Sequence, residues 1–431
     1  MTFRGKLTLA LVSFAIAFFA VVGGLISTRA QQPINDAGAQ MRIFESVLQH
    51  IQNDYVDEPN LEKVRGGAMR GLAKGLDPYS SYLTAEQVRD YNAKKQNTLS
   101  SIGVTTSQIS SYLLISVIKD SSADKAGLKT GDVIEYIDGK ATPDMSLYDA
   151  RQLLYGEAGS KVNLRVLRAG AKPQNITIVR GAYKTPEADG RIEDGKIGVV
   201  KIYSLEAGEA LDIRNRVAEL QKQGAQKIIL DLRGVAAGTI GEASDVANLF
   251  IKDGTLAEIV GRENKVVQTF AADPKKFLFD GQVAALIDLT TSGAGEVVAS
   301  AIADRKRGEV VGERTFGAGI EQQLFTLRGG DGLLLTTAKW ASASGKTFVG
   351  SERATSGVVP SVEVKRPDTP EPIEVQDLVD QQQQKQDPQP QPSPTATPQV
   401  KPTPKPAAED LQLKKALEIL RGTTAKTGSD E

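Results

Sequence analysis

Few side chains in this sequence are suited to nucleophilic or metal chemistry. The chain has no cysteine and a single histidine, His50. Disulfides, thiolate zinc sites, iron–sulfur clusters and cysteine nucleophiles are therefore excluded, and a Ser-His-Asp triad or a two-histidine metal site would depend on His50. His50 lies in a helical pattern between Ile43 and Val56, where we interpret it as a surface residue. We expect no metal and no cofactor, and a serine–lysine pair is the natural mechanism for a hydrolase of this composition.

The net charge limits the kinds of partner the chain can bind, and its length limits the number of domains. The chain has 52 Lys and Arg against 53 Asp and Glu, a formal net charge of −1. It therefore lacks the basic field that binds a nucleic-acid backbone. At 431 residues it exceeds one compact core and is long enough for about two to three domains.

The amino terminus has the pattern of a targeting segment. Arg4 and Lys6 precede Leu7–Ile26, 20 uncharged residues rich in Leu, Ala, Val and Phe, a length that spans a bilayer as a helix. We interpret residues 1–30 as a signal anchor; the alternative is a signal peptide cleaved after the imperfect site Thr28-Arg29-Ala30. The positive-inside rule then places the rest of the chain outside the cytoplasm, in the periplasm or cell envelope.

Hydrophobic periodicity divides the following residues into regions of different structure. Residues 35–98 have apolar residues at helical spacing, which predicts an N-terminal helical domain. Residues 99–183 predict a small β domain, and residues 184–366 alternate strands with helices, as is typical of an α/β core around a largely parallel sheet. The predicted fold class is multidomain α+β. The expected strands and helices are Tyr112–Val117, Asp132–Ile137, Lys161–Val166, Ile197–Ile202, Ala210–Gln223, Lys227–Leu232 and Val283–Leu289.

The carboxyl-terminal part of the chain differs in composition from everything before it. Residues 367–407 repeat proline and contain Gln381–Gln384, so they cannot bury enough surface to fold and are predicted to be a disordered Pro/Gln-rich linker. Residues 408–422 follow with an apolar stripe that stops at Gly422. We predict a terminal helix that docks on this chain or on a partner. The stripe consists of Leu411, Leu413, Ala416, Leu417 and Leu420.

The β region resembles a bacterial PDZ domain. The segment Ser121–Ile134, followed by Ile137-Asp138-Gly139 with its hairpin turn, carries the resemblance. A PDZ domain binds an extended peptide at a sheet edge, with backbone amides holding the terminal carboxylate. The carboxylate loop falls at Ser101-Ile102-Gly103-Val104, where serine replaces the first glycine of the usual Gly-Ile-Gly. A PDZ fold with a purely structural role remains the alternative.

Motifs on both sides of the β region resemble the carboxy-terminal processing peptidases, also called tail-specific proteases. They occur in the order of that family and cover nearly everything outside the amino-terminal segment and the linker. The resemblance implies an extracytoplasmic serine endopeptidase whose PDZ domain gates a ClpP/crotonase-like α/β core, with a serine–lysine dyad as catalyst. The motifs are Tyr55–Asp57, Leu76–Leu83, Leu230–Arg233, Val311–Gly317, Thr336–Trp340, Gly357–Pro360 and Leu411–Leu420.

The dyad positions implied by this resemblance hold neither serine nor lysine. Alignment on Glu296 places Gly293 at the nucleophile, and the segment Thr315–Gly319 places Ala318 at the general base. Gln322 matches the supporting glutamine of the family. Because a serine hydroxyl needs a base to become a nucleophile, the sequence predicts a degenerate site with no catalytic residue.

The region of the oxyanion hole is changed as well. The family pattern Asn-x-Gly-Gly is replaced by a stretch in which Ala237 stands for one glycine and Gly238 is kept. Ala294 matches the backbone donor beside the nucleophile. Since an oxyanion hole needs backbone amides aimed at the developing charge, we expect an altered geometry.

A neighbouring hydroxyl offers an alternative nucleophile. Ser292 lies one residue before Gly293, and either Lys306 or Lys339 could supply a base. A shift of one residue turns a side chain by about 100° in a helix, or to the opposite face of a strand. We therefore expect Ser292 to cap the following helix instead.

Together these features predict a membrane-anchored, extracytoplasmic homologue of the carboxy-terminal processing peptidases. We expect it to bind peptide or protein C-termini, through the PDZ domain and the groove of the core, without cleaving them. The expected partners are tails of exported proteins, the membrane through the N-terminal segment, and an active paralogous protease. Two alternatives stay open: an active serine endopeptidase with a displaced nucleophile such as Ser292, and an envelope scaffold or regulator of the paralogue.

Overall fold

A computed structural model describes residues 37–109, 112–168, 171–193, 196–350, 353–366 and 409–422. The predicted anchor and the predicted linker lie outside these residues. Within them, no helix is both long and apolar enough to cross a bilayer. The chain divides after Ala68 into two compact units.

The amino-terminal region is helical, as its periodicity predicts. Its elements are α1 (Ala37–Asp54), α2 (Leu61–Lys74), β1 (Ser81–Leu83) and α3 (Ala85–Asn92). Thr84 caps α3: its hydroxyl accepts the N–H of Gln87 at 3.3 Å, and the Gln87 side chain accepts the N–H of Thr84 at 2.9 Å. His50 is exposed on α1, with its Nδ1 2.6 Å from Asp54 Oδ2, which confirms its interpretation as a surface residue.

The next region is an antiparallel sheet of six strands with two helices. Its elements are β2 (Val104–Ile109), β3 (Tyr112–Val117), α4 (Ser122–Lys125), β4 (Val133–Ile137), β5 (Lys140–Ala141), α5 (Leu147–Leu154), β6 (Lys161–Leu167) and β7 (Gln174–Val179). The strand order is β2-β3-β4-β6-β7, with β5 paired to β4, so β2 is an edge strand. Asp138 and Gly139 join β4 to β5 with φ values of 46° and 76°, which confirms the predicted hairpin. The region has its own apolar core, which includes Ile102 and Leu164.

Among the described residues, the largest region contributes strands to two sheets and has three α-helices before residue 364. Its elements are β8 (Asp189–Glu193), β9 (Ile197–Lys201), α6 (Glu209–Lys222), β10 (Lys227–Asp231), α7 (Ile240–Asn248), β11 (Thr255–Val260), β12 (Val266–Ala271), β13 (Gln282–Ile287), α8 (Ala294–Asp304), β14 (Gly308–Gly312), β15 (Ile320–Thr326), β16 (Gly332–Ser342) and β17 (Val362–Glu363). Single-turn 3₁₀ helices also occur along the chain, at Lys95–Thr98, Thr142–Asp144, Arg262–Asn264 and Arg353–Thr355.

The first of these sheets is largely parallel. Its order is β17-β14-β13-β10-β9-β8, and only the β8–β9 pair is antiparallel. Ile229 lies in register between Val199 and Ala284. The inner strands β9, β10, β13 and β14 are largely buried on both faces, which explains their nearly continuous apolar runs in the sequence. The predicted multidomain α+β class is confirmed.

The second sheet is antiparallel and has the order β1-β16-β11-β12, with β15 paired to β16. It packs with α8 and one face of the parallel sheet around a common core that includes Ile259, Val298 and Ala338. The periodicity of the sequence does not predict this sheet. Strand β16 is central to it and carries Trp340 toward the start of α8.

The terminal helix α9 (Leu411–Gly422) docks on this chain. Ala416 and Leu420 are buried against the face of the parallel sheet that contains Ile229 and Leu286. The sequence predicted that this helix docks either on its own chain or on a partner, and it docks on its own chain. Ahead of α9, the Arg233 guanidinium lies 2.8 Å from a carboxylate oxygen of Asp410.

Candidate functional site

The predicted nucleophile position lies between β13 and α8. The chain turns through Asp288–Gly293 and enters α8 at Ala294. Gly293 has φ 52° and ψ −108°, a conformation that glycine adopts without the steric cost incurred by other residues. An ideal Cβ built on Gly293 lies 3.8 Å from Trp340 Cζ3 and 3.9 Å from the carbonyl oxygen of Ala236. A serine side chain would therefore have space, and its cost would come from the backbone conformation.

One buried carboxylate joins the two predicted dyad positions. Glu296 is fully buried, and its Oε2 accepts the N–H of Gly293 at 2.7 Å and the N–H of Ala318 at 2.8 Å. Its Oε1 accepts the N–H of Gly317 at 2.7 Å and the hydroxyl of Thr315. Because both dyad positions donate to one oxygen, they lie side by side. Burial raises the pKa of Glu296 to about 7, while the hydrogen bonds oppose that rise.

Ala318 faces a cleft between the β2–β3 strands and the core, which we call the dyad cleft. Its volume is about 110 Å³. The described residues that line it carry hydroxyl, aliphatic or aromatic side chains or are glycine, and none of them is ionisable. No general base therefore faces the cleft from these residues. The lining includes Thr105, Ser107, Ser116 and Thr130 on one side and Ala236, Ser292, Phe316 and Ala318 on the other.

The alternative nucleophile Ser292 lines the dyad cleft, but the two lysines considered as its base lie elsewhere. Lys306 follows the far end of α8, a helix of 11 residues, which corresponds to about 16 Å of helix. Lys339 donates from Nζ to a backbone carbonyl at 3.1 Å. Its neighbour Trp340 approaches Gly293, and adjacent strand residues point to opposite faces. Lys339 therefore points away from the cleft.

The expectation that Ser292 caps the helix is wrong. Gly293 occupies the N-cap of α8, and no side chain at that position accepts a helix N–H. The chain turns at Gly293, which leaves Ser292 one residue outside the helix. The Glu296 side chain instead accepts the N–H of the N-cap residue.

Gln322 ties the core to the segment that precedes β1. Its Nε2 donates to the backbone carbonyl of Tyr79 at 3.0 Å. The N–H groups of Tyr79 and Ser80 both donate to Asp77 Oδ1 at 2.7 Å. Burial raises the pKa of Tyr79 to about 12, and the charge of Glu296 acts in the same direction. The sequence alone did not indicate that Tyr79 lies near this site. The one feature that could have indicated it is that Tyr79 belongs to the family motif Leu76–Leu83.

The predicted oxyanion region is held against a loop of the core. Leu205 donates its N–H to the carbonyl of Ala237 at 2.9 Å, and Thr239 donates its N–H to the carbonyl of Leu205 at 3.0 Å. A Cβ at Gly238, where φ is 145°, would lie 2.4 Å from the Leu205 carbonyl oxygen, so packing alone demands glycine there. Ala294 opens α8, and its N–H has no acceptor within the helix. An oxyanion-binding role for Ala237, Gly238 and Ala294 stays a prediction.

The predicted carboxylate loop leads into the edge strand β2. Ile102 and Gly103 are buried, and Gly103 has φ 79°. The N–H of Gly103 donates to the Ser101 hydroxyl at 3.0 Å. Val104 begins β2, which has β3 as its only partner strand within the described residues. An unpaired strand edge of this kind is what an extended peptide joins in β-augmentation.

Comparison with known proteins assigns these regions to families. Residues 196–364 match peptidase family S41, and residues 115–168 match a PDZ domain. The carboxy-terminal processing protease CtpA of Bacillus subtilis (strain 168) is 29% identical over 361 residues, which are 83% of this chain and 76% of that protein. The carboxy-terminal-processing protease of Bartonella bacilliformis is 29% identical over 360 residues, 82% of this chain and 81% of that protein.

A solved structure shares the fold. The photosystem II D1 C-terminal processing protease matches with a TM-score of 0.63 and 24% identity, over 76% of this chain and 87% of that one. Two features define the class of protein. A PDZ domain precedes an S41 core, and Gly293 and Ala318 lie side by side in that core. The chain contains a PDZ domain and a peptidase family S41 domain, and its homologues include proteins named carboxy-terminal processing proteases, as its motifs predict.

Proposed function

We propose that this chain is a catalytically inactive carboxy-terminal processing protease that binds polypeptides instead of cleaving them. The dyad cleft carries the proposal: Gly293 and Ala318 stand at the dyad positions, and none of the described residues that line the cleft is ionisable. A serine hydroxyl is a weak nucleophile without a base. In serine hydrolases, loss of one member of the catalytic unit costs several orders of magnitude in rate. Within the described part of the cleft, Ser292 therefore has no general base to activate its hydroxyl.

The groups that remain at this site favour the binding of an extended chain. The edge strand β2 can accept a peptide by main-chain hydrogen bonds. The hydroxyls of Thr105, Ser107 and Ser116 lie on the same side of the dyad cleft, and a hydroxyl both donates and accepts hydrogen bonds. Such a lining suits a peptide backbone, which presents N–H and C=O groups alternately. The ligands we propose are the carboxyl-terminal tails of exported proteins.

The proposed location is extracytoplasmic. Basic residues before the apolar segment Leu7–Ile26 support it, with residues 1–30 as a signal anchor or a cleaved signal peptide. On that side of the membrane the chain meets exported proteins. An inactive homologue that holds the same tails would also compete with an active paralogous protease for its substrates and so regulate it.

The proposal is tested by the fluorescence anisotropy of a labelled peptide with an apolar carboxyl terminus, titrated with the full chain. Ala236→Trp fills the dyad cleft, and we expect it to weaken binding by about tenfold. Thr177→Trp is the matched control, because Thr177 lines a separate open cavity on the PDZ sheet. We expect this control to bind like the wild type. Mass spectrometry of the peptide after incubation reports cleavage.

Each outcome of this experiment discriminates between the functions considered. Binding without cleavage, weakened only by Ala236→Trp, supports the proposal. Cleavage that Ser292→Ala abolishes would establish a displaced nucleophile in its place. A chain that neither binds nor cleaves would favour an envelope scaffold.

A further inference from the structure

Ser101 occupies the first position of the carboxylate loop, and its hydroxyl is already engaged with that loop. Ser101 Oγ accepts the N–H of Gly103 at 3.0 Å. In a loop where a residue has the left-handed conformation, as Gly103 has with φ 79°, successive N–H groups form a concave site for an anion. A PDZ ligand places its terminal carboxylate in such a site. The Ser101 oxygen therefore takes up one of the donors that a ligand carboxylate would use.

The loop is fixed in this arrangement by contacts on its other side. The carbonyl of Gly103 accepts hydrogen bonds from the Ser121 hydroxyl and the Ile118 N–H, both at 3.0 Å. The carbonyl of Ile102 accepts the N–H of Ala123 at 2.8 Å. A Cβ at Gly103 would lie 2.1 Å from Ser121 Cβ, so no larger residue fits at this position. The loop cannot easily turn its donors elsewhere, and the Gly103 N–H stays directed at Ser101.

The segment that joins the PDZ domain to the core also covers the loop. Tyr183 lies in this segment, and its Cδ1 is 3.2 Å from the ideal Cβ position of Gly103. The side chains of Tyr183 and Ser101 interact directly. These contacts hold Ser101 in place beside Gly103. The Ser101 hydroxyl is thus a built-in acceptor.

We infer that Ser101 is a specificity-determining residue that lowers the domain's requirement for a free carboxylate. Because the Gly103 N–H already donates to Ser101, a ligand gains less binding free energy from a terminal carboxylate. The backbone pairing of the ligand with β2 and the contacts of its side chains then determine its affinity. The PDZ domain then accepts internal segments of an extended polypeptide as well as free C-termini. This inference rests on the proposed peptide-binding function and names its class of ligand.

The test compares two forms of one labelled peptide with an apolar carboxyl terminus, the free acid and the carboxyl-terminal amide. Fluorescence anisotropy gives the Kd of each form for the full chain. For the wild type we expect the two values to agree within about twofold. In Ser101→Ala the Gly103 N–H becomes available to the carboxylate, and a hydrogen bond of about 1 kcal/mol should raise the preference for the free acid about fivefold. Ser101→Thr keeps the hydroxyl and should retain the wild-type ratio.

Three results would overturn the inference. The first is a wild type that already prefers the free acid by about tenfold or more. The second is a Ser101→Ala variant whose ratio equals that of the wild type while both peptides bind, which leaves the proposed function standing. The third is the absence of binding by either peptide to any of the proteins, which contradicts the proposed function itself. Thermal unfolding, monitored by circular dichroism, verifies that each variant is folded.

Discussion

Glu296 is a buried acid that forms no ion pair within the described part of the chain, and it is compensated by hydrogen bonds alone. A carboxylate removed from water is costly unless donors surround it. Here the donors come from Gly293, Thr315, Gly317 and Ala318. Three of the four are backbone N–H groups, so substitution of the dyad side chains leaves them in place. The loops of the site therefore stay joined whichever side chains stand at Gly293 and Ala318.

The titration of Glu296 makes stability depend on pH. Its pKa rises from 4.5 to about 7 in the folded chain, mainly because of burial. Between these values the folded protein holds a proton that the unfolded chain has released. Its contribution to the free energy of unfolding is therefore complete below pH 4.5 and is lost as the pH rises through about 7. The change is about 3 kcal/mol, at 1.36 kcal/mol for each pH unit.

We predict that Glu296→Gln removes this dependence. Urea unfolding of the wild type and the variant at several pH values between 4.5 and about 7 measures it. The wild type should lose stability as the pH rises, and the variant should show a flatter profile at lower absolute stability, because an amide nitrogen cannot accept the N–H donors. Glu157→Gln, on an exposed loop of the PDZ domain, should keep the wild-type profile. Parallel profiles for Glu296→Gln and the wild type would refute the assignment.

The residues of the site differ in how far the sequence could identify them. Gly293 and Ala318 were found because family motifs fix their spacing within short segments. The environment of these positions was not found, because Tyr79, Ala236 and Trp340 come from segments far apart in the chain and meet only in the folded core. The hydrogen bonds of Glu296 were not found from the sequence either, for the same reason. A motif alignment used Glu296 as a reference point, but only the fold shows what its oxygens accept.

At the scale of elements, α9 is a short helix that depends on tertiary contacts. Twelve residues are marginal as an isolated helix in water. Leu420 is 3% exposed and packs on the parallel sheet, whereas Leu411 on the same helix is 38% exposed. The Arg233–Asp410 ion pair adds a polar contact at the start of the helix. Burial of the apolar stripe therefore provides most of the docking free energy.

We predict that Leu420→Ala loosens α9 and that Leu411→Ala does not. Truncation of a buried leucine costs about 2 kcal/mol or more, which corresponds to amide exchange about thirtyfold faster if the helix opens locally. Hydrogen–deuterium exchange of the peptide that contains α9 measures this rate. Equal rates for the two variants, or no change in Leu420→Ala, would show that the sheet face does not hold the helix.

The elements that the sequence foresaw are those with strong periodicity. Strands β3, β9, β10 and β13 and helix α6 lie within one or two residues of their predicted bounds. The antiparallel sheet was missed for a physical reason. Strand β12 lies at the edge of this sheet with most side chains exposed, and β15 has no fully buried side chain, so neither shows the alternation that marks a half-buried strand.

At the scale of the whole molecule, the PDZ strands β2 and β3 face Ser292 and Ala318 across one cleft. The two regions have separate apolar cores. A ligand bound at the edge of β2 would therefore lie next to the cleft that Ala318 and Ser292 line. The family resemblance implies that the PDZ domain gates the core, but the sequence does not show which residues meet, because Thr105 and Ala318 share no local pattern. The proposed retention of a bound chain relies on this arrangement.

The most direct measurement of inactivity is the hydrolysis of an unfolded protein substrate by the full chain, with mass spectrometry of the products. The wild type, Ser292→Ala and the double variant Gly293→Ser with Ala318→Lys are compared under the same conditions. We predict intact substrate with the first two proteins. The double variant should release fragments, because Glu296 already holds both positions side by side. Cleavage by the wild type that disappears in Ser292→Ala would contradict the proposed inactive protease.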